Sequence, residues 1–508
     1  MESLTRKLYG PPGTGKTTAL TALAIKAAQA FGPERVAALT FTRTAADELR
    51  SRIGAALGLQ PPVQPWARKR FFDQRLPWVG TIHSVALRLL DRQPVLSTRD
   101  LTTFIKSMGG EAHLADVEPE DAEGYQWAEP SRDEVEAALA VYAMSKHRMI
   151  ELAQAYAEAQ WGYRGPTVSP ERVQFLVRAY EDFKRDQGKI DFEDMLTLGA
   201  LHTLPVDAIL ADEVQDNSPL LWNVLDLWSE NLQVALAGDP YQSLYKWSGA
   251  EPGLFINHVG GLHRLGDSRR LTPGSASRAQ QILREAGYED QEWLGTWTGT
   301  GSGEVTDGSQ FWLARTGRLL NPVRQELEDE GTPYANIRGG GPLSTVEAQA
   351  YRVLANLKAK GWDTVGGVAY LAAHNDLVSR KNVAALRLQA REHEQEPLDR
   401  DAAAHYLGRD LDMLQDGFKK GDYFERVLAR HGTGAFWAEP TIKVGTIHSA
   451  KGREADVVHL IESWGTLPYR ALSNGGAQSE ACVAYVGVTR HRYALHLEPA
   501  SEGMPYPF

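Results

Sequence analysis

At 508 residues the chain has room for roughly three to four domains, each able to bury a core, and its 43% hydrophobic and 23% charged residues sit near globular averages. No apolar run approaches the length needed to cross a bilayer, and no signal-peptide pattern opens the chain, so a soluble, cytoplasmic protein without a membrane partner is expected. One cysteine, Cys482, excludes a disulfide framework or cysteine-ligated cluster, while 54 Lys+Arg against 65 Asp+Glu (net −11) argue against indiscriminate polyanion binding and still permit a local basic groove.

In chain order, the first element is a short apolar strand at Leu8-Tyr9. It runs into Gly10–Thr17 (GPPGTGKT) and then a helical stretch, the context and pattern of a phosphate loop, G-x-x-x-x-G-K-[ST]. Backbone N–H groups around Gly10, Gly13, Thr14, Gly15 and Thr18 turn toward phosphate oxygens, Lys16 reaches the β and γ oxygens, and the Thr17 hydroxyl ligates Mg²⁺ at a helix N-terminus. A nucleoside triphosphate with Mg²⁺ is therefore the expected cofactor, but kinases, GTPases, AAA proteins and helicases all share this device.

Val36–Arg50 (VAALTFTRTAADELR) reads as strand, turn and amphipathic helix. Next comes a basic and aromatic stretch, Trp66–Phe72 (WARKRFF) with Arg75 and Trp78, which reads equally as a strand-tracking groove or as a solvated charge run beside core aromatics. After Val79–Ser84 (VGTIHS), residues 93–185 carry Ala, Glu and Arg at helical spacing. Within them Lys146-His147-Arg148 reads as a helix surface, and no cluster of His, Cys and carboxylates has metal-ligand spacing. Ala208–Asp216 (AILADEVQD) is a buried strand ending in carboxylates: Asp212 is placed to hold the Mg²⁺ shell and Glu213 to polarise an attacking water. A further strand at 233–237 leads into Gly238–Ala250 (GDPYQSLYKWSGA), where Gln242 is placed to sense the γ-phosphate. A charged helical stretch is predicted over Arg387 to Leu414, no internal repeat stands out, and the tail from Pro499 to Phe508 is expected to fray.

The acidic strand end and the segment after Gly238 resemble the UvrD/Rep-like superfamily 1 helicases, whose motifs read DE-x-Q-D and GD-x-x-Q-S-I-Y-x-(W/F)-x-GA. Other segments match the family in order. TFTRTAADEL looks like its TFTN-x-AA-x-E segment, GTIHS like its GT-x-H segment, and Asp191–Leu196 (DFEDML) like its DF-x-(D/E)-(L/M)-L element. Leu265–Leu271 (LGDSRRL) resembles L-x-x-(N/S)-Y-R, Phe311–Arg315 with Tyr334 and Gly339-Gly340 resembles the next strand and helix unit, Val444–Glu454 (VGTIHSAKGRE) resembles the T-(I/L)-H-(S/A)-x-KG-x-E motif, and Val483–Arg490 (VAYVGVTR) resembles YVA-x-TR.

That resemblance implies an α/β fold of two RecA-like parallel-sheet P-loop lobes with mainly helical inserted subdomains, and a DNA-stimulated ATPase that translocates 3′–5′ on single-stranded DNA and unwinds duplex. It assigns base stacking to Trp247, Tyr245 and Phe41, DNA contact to Thr81, His83, Thr446 and His448, a phosphate contact to Arg270, nucleotide proximity to Gly452 and Glu454, and the arginine finger to Arg490. Arg269 stands where relatives place an adenine-stacking tyrosine, and Ser248 where they often place an arginine. With little chain ahead of the phosphate loop to read the adenine edge, looser discrimination among purine nucleotides is also expected. The implied organisation is a first lobe over residues 1–92 and 186–262 split by a helical insertion at 93–185, then a second lobe over 263–365 and 440–508 split by a reduced accessory insertion at 366–439. Partners would be single-stranded DNA, single-strand/duplex junctions and a protein of a repair, replication, phage or defence complex. The alternative is a nucleotide-controlled DNA-binding module that switches a partner without processive unwinding.

Overall fold

The computed structural model describes residues 5–111, 133–159, 168–244, 249–288, 297–303, 308–473, 476–499 and 504–505. The chain divides into two compact units at Arg269/Arg270.

The first unit is built on six strands, β1 Thr5–Tyr9, β2 Val36–Thr40, β3 Val79–Thr81, β4 Ala208–Ala211, β5 Gln233–Gly238 and β6 Gly261–Arg264, in the order β3-β2-β4-β5-β1-β6. Every pairing is parallel. All residues of β2 and β4 are buried, which is why VAALT and AILA are unbroken apolar runs rather than alternating ones. The helix Lys16–Phe31 places Leu20, Ala24 and Ala28, four residues apart, against Leu8, Leu210 and Ala237 of the sheet. Because β1, β4 and β5 run the same way and lie side by side, the segments leaving their C-terminal ends emerge along one edge. That edge holds the phosphate loop, the DEVQD turn and the GDPYQ turn.

Between β3 and β4 the helices Thr98–Ser107, Glu134–Arg148, Leu152–Glu158 and Pro170–Gln187 enclose a core of their own around Phe104, Leu139, Tyr142, Leu176 and Tyr180. Residues 263–269, read from sequence as the start of the second lobe, lie in the first unit instead. β6 pairs with β1, and the Leu265 amide continues the ladder by donating to the Tyr9 carbonyl at 2.7 Å.

The second unit contains β7 Gln310–Ala314, β8 Tyr334–Asn336, β9 Trp362–Thr364, β10 Pro397–Asp399, β11 Ile442–Thr446, β12 Ala455–Ile461, β13 Ser463–Trp464, β14 His491–Glu498 and β15 Met504–Pro505. Five of these form a parallel sheet in the order β14-β12-β7-β11-β8. The helices Val365–Ala373, Arg380–His393, Arg400–Leu407 and Gly421–His431 are inserted between β8 and β11, and Leu386, Leu407 and Phe424 share one core with Ala314 and Val444 of the sheet. The single helix predicted over 387–414 is broken. Pro397 disfavours helical backbone at Glu396, β10 pairs antiparallel with β9, and Asp399 caps a new helix by accepting from the Ala402 amide at 2.8 Å. The predicted fraying of the tail is likewise corrected at Met504–Pro505, which pairs antiparallel with Ser463–Trp464. Among the described residues no helix is long and apolar enough to cross a membrane.

Candidate functional site

The phosphate loop leaves β1 and turns into the helix Lys16–Phe31 through Gly13 and Gly15, whose φ values of 79° and 86° belong to the left-handed region that glycine alone enters without strain. Gly15 takes the cap position and no side chain caps the helix, so its first N–H groups face the loop. Lys16, 8% exposed, donates to the carbonyls of Gly10 at 2.6 Å and Pro11 at 3.2 Å, which holds the ammonium inside the loop. Thr14 braces the loop through a 2.8 Å hydrogen bond to Pro11 O. From the segment after β6, the Ser268 hydroxyl donates to Pro12 O at 2.7 Å and the Arg269 amide to Gly13 O at 3.0 Å, so Arg269 is tied directly to the loop.

The second motif meets the first where Thr17 Oγ1 donates to Asp212 Oδ2 at 2.7 Å across 195 residues of sequence. A hydroxyl and a carboxylate side by side are hard oxygen donors of the kind Mg²⁺ takes, and they fit the expected ion. Burial first, then the adjacent Glu213 carboxylate, push the Asp212 carboxyl up to about 6, against the opposing pull of the Thr17 hydrogen bond and the Lys16 charge. Glu213 sits at φ 55°, ψ 33°, a left-handed conformation uncommon for a side chain of its size and found where surrounding structure over-determines the backbone.

Glu213 and Gln242 are connected through two residues to which sequence reasoning gave no role. Gln215, wholly buried, donates from Nε2 to Glu213 Oε2, while its Oε1 accepts the Asp239 amide at 3.0 Å. Asp239, also wholly buried, accepts from Gln242 Nε2 at 2.8 Å. Gly238 makes this possible, since a Cβ there would stand 2.6 Å from Gln215 Oε1. The available signal was a polar residue set inside each otherwise apolar strand end. Tyr245, Trp247 and Ser248 lie outside the described residues.

At the end of β3, Thr81 caps the helix Ile82–Leu89 by accepting from the Ser84 amide at 3.2 Å, and Ser84 Oγ returns a 2.8 Å bond to Thr81 O. Thr446 and Ser449 repeat this arrangement at the end of β11, at 3.3 and 2.7 Å. The sequence Val-Gly-Thr-Ile-His-Ser stands at both 79–84 and 444–449, one match in each unit. Its glycine is needed at each copy because a Cβ would fall 2.4 Å from Ser84 Oγ or 2.5 Å from Ser449 Oγ. Both histidines are held neutral. Burial, then nearby His147, pushes His83 down to about 4; burial, then the charges of Arg315, Lys451 and Arg338, pushes His448 down to about 3. His83 also packs edge-on against Phe192, in the DFEDML segment whose Asp191 caps the helix Phe192–Gly199 and pairs with buried Lys184 at 2.7 Å. Phe41, half-buried, follows β2 at the same sheet edge.

Thr81 and His83 line a pocket of about 800 Å³ with Arg43, Arg50, Arg68, Lys69, Arg88 and Arg92, six cations against the two carboxylates Asp47 and Asp73. The basic, aromatic stretch forms the helix Pro65–Arg75 on its wall, with Phe72 buried and Trp66, Arg68, Lys69 and Arg70 exposed.

In the second unit Arg270 donates to Glu454 and, at 2.9 Å, to the Thr489 carbonyl next to Arg490. Arg492 reaches the other oxygen of Glu454 at 2.9 Å. Burial opposes it, yet Arg270 and Arg492 together hold the Glu454 carboxyl below its ordinary range. Arg490, 3% exposed, donates to Val486 O at 3.0 Å and Thr489 Oγ1 at 3.1 Å, and Gly452 follows Lys451 at φ 72°. Arg270, Glu454 and Arg490, named from three separate motifs, are therefore neighbours.

Residues 4–259 match the model of the UvrD/REP helicase N-terminal domain, and residues 423–502 that of the UvrD-like helicase C-terminal domain. The chain belongs to the UvrD/Rep helicase family. Its two parallel sheets are the two RecA-like α/β lobes of that family. Similar proteins include the ATP-dependent DNA helicase UvrD2 of Mycobacterium tuberculosis, 26% identical over 589 aligned positions that cover 97% of this chain and 76% of that protein. The ATP-dependent DNA helicases PcrA of Leuconostoc citreum and Bacillus subtilis are 27% and 24% identical over 48% of this chain. The matched region spans 32% of the length of either PcrA. Among the described residues no group of three or more His, Cys, Asp and Glu side chains is arranged to hold a metal ion by itself.

Proposed function

We propose that the protein is a cytoplasmic ATP-dependent DNA helicase that translocates 3′–5′ on single-stranded DNA and opens duplex at single-strand/duplex junctions. The observation that carries this reading is the joining of the phosphate loop to the acidic strand end by the Thr17–Asp212 hydrogen bond, with Glu213 held beside it through Gln215. Backbone N–H groups of Gly13 to Thr18 and the Lys16 ammonium bind the triphosphate, and Arg269, tied to Gly13, takes the stacking place against the base. Thr17 and Asp212 would hold Mg²⁺, which offsets phosphate charge when bound. Glu213 orients and deprotonates the attacking water, and the Gln215–Asp239–Gln242 chain lets the group sensing the γ-phosphate act on the group holding the water. Arg270 and Arg490 contribute positive charge to the transferred phosphate, on the order of 10³–10⁵ in rate in comparable reactions. Thr81, His83, Phe41, Thr446, His448, Tyr245 and Trp247 contact the strand.

Steady-state hydrolysis with and without single-stranded DNA tests this, with Glu213→Gln and Arg490→Ala as inactive controls, followed by strand displacement on substrates with 3′ or 5′ tails. DNA-stimulated turnover and displacement from 3′ tails alone are expected; turnover indifferent to DNA would overturn the reading.

A further inference from the structure

The pocket at Thr81 and His83 continues past the segments that the family motifs account for. A second pocket, of about 620 Å³, shares Lys69, Asp73, Arg88 and Arg92 with the first and adds Trp66 and Arg70. The shared wall is unusual in charge. Asp73 faces three guanidinium groups, Arg88 at 2.8 Å, Arg92 at 3.5 Å and Arg50 at 3.7 Å, the last also paired with Asp47 at 3.4 Å, and the second pocket is lined by four cations beside that one carboxylate. The helix Pro65–Arg75 is fixed in place by Phe72, 4% exposed, and is followed by Leu76, 1% exposed. Gly54 lets it approach, since a Cβ there would stand 2.8 Å from the Phe72 ring. What this anchoring turns outward is Trp66, 72% exposed, with Lys69 and Arg70. A large indole left in solvent next to a row of cations, on a chain of net charge −11, is unexplained by folding: burying Trp66 would stabilise the helix, and clustering these charges costs repulsion.

We propose that this strip is a second nucleic-acid track, on which a single strand leaving Thr81 and His83 lays its phosphates along Lys69, Arg70, Arg88 and Arg92 and stacks a base on Trp66. The inference rests on the DNA-dependent reading above. Phosphodiester oxygens suit the guanidinium row, and an exposed ring beside it suits a base of any sequence. An acidic protein segment would meet the same cations without using the indole face, so the observations favour the nucleic acid.

The test uses the full chain and fluorescently labelled oligothymidylates of increasing length. Trp66→Ala is expected to weaken binding of the longer oligonucleotides about 5- to 100-fold and leave the shortest that bind unchanged, because only a long strand reaches the strip. Lys69→Gln with Arg70→Gln is expected to lower the slope of log affinity against log salt by about 1.4, the loss of two single-strand phosphate contacts. Arg185→Gln, an exposed charge that lines neither pocket, is the control and should change neither. All three sites are exposed on the surface, so unfolding midpoints should match the parent protein. Length dependence that is identical in Trp66→Ala and the parent overturns the proposal, as does binding of poly-glutamate that the Lys69/Arg70 variant loses while its DNA binding is intact. Absence of any DNA stimulation in the parent protein would instead overturn the underlying functional reading, so the two failures are told apart.

Discussion

Replacing Gln215 by alanine probes the link between the two catalytic motifs. The side chain is wholly buried; it donates to Glu213 and, at 3.4 Å, to Asp216, and accepts the Asp239 amide at 3.0 Å. Alanine leaves that amide as a buried donor without its acceptor, about 1–3 kcal/mol, and the emptied volume adds roughly 1 kcal/mol more. The first unit should therefore lose about 3 kcal/mol of stability in a urea titration followed by tryptophan fluorescence. Glu213 also loses the amide that orients it, and misplacement of a catalytic group by an ångström costs on the order of 10²-fold in rate. A coupled ATPase assay at saturating single-stranded DNA should then show kcat down about 10²-fold with KM for ATP little changed. Gln215→Glu tests the same link a second way: it keeps the volume and the acceptor for Asp239 but buries a carboxylate against Glu213 and Asp216, so kcat should fall as far with a loss of stability at least as large. If Gln215→Ala keeps kcat within about threefold and unfolds at the parental midpoint, the relay has no function.

Gly238→Ala pushes a methyl group to 2.6 Å from Gln215 Oε1 and should reproduce the kcat loss without deleting any polar group; parental turnover would show that the close approach is unimportant. Lys184→Met removes a buried ammonium that faces Asp191 and Asp194 at 2.7 Å each, and breaking such a set should cost about 3–5 kcal/mol by urea unfolding, a loss under about 1 kcal/mol counting against it. His83 and His448, held to about 4 and about 3, lie below their unfolded value near 6.5, so the unfolded chain binds protons first as the medium is acidified. Their contribution should leave stability flat above about pH 6.5 and falling from there toward pH 4, and His448→Gln should flatten that limb in thermal melts; an unchanged limb refutes the assignment.

The nucleotide chemistry was legible because it depends on local arrangements. A glycine-rich turn after an apolar strand dictates its own backbone, and carboxylates at the end of a buried strand have one exposed direction to face. The fold class followed from the same repeated pairing of apolar strands with amphipathic helices. Sequence order alone, with no partner chain in view, misled at the boundaries. Residues 263–269 join the first sheet because β6 finds an open edge beside β1, and the predicted helix over 387–414 breaks because Pro397 and Asp399 favour a strand and a new cap. The Gln215–Asp239–Gln242 chain and the three arginines around Asp73 were illegible for a physical reason: hydrogen bonds and charge pairs act over a few ångströms, and only the packing of distant segments decides which groups come that close. Local sequence determined which chemical groups each turn presents, and tertiary structure decided which of those groups meet.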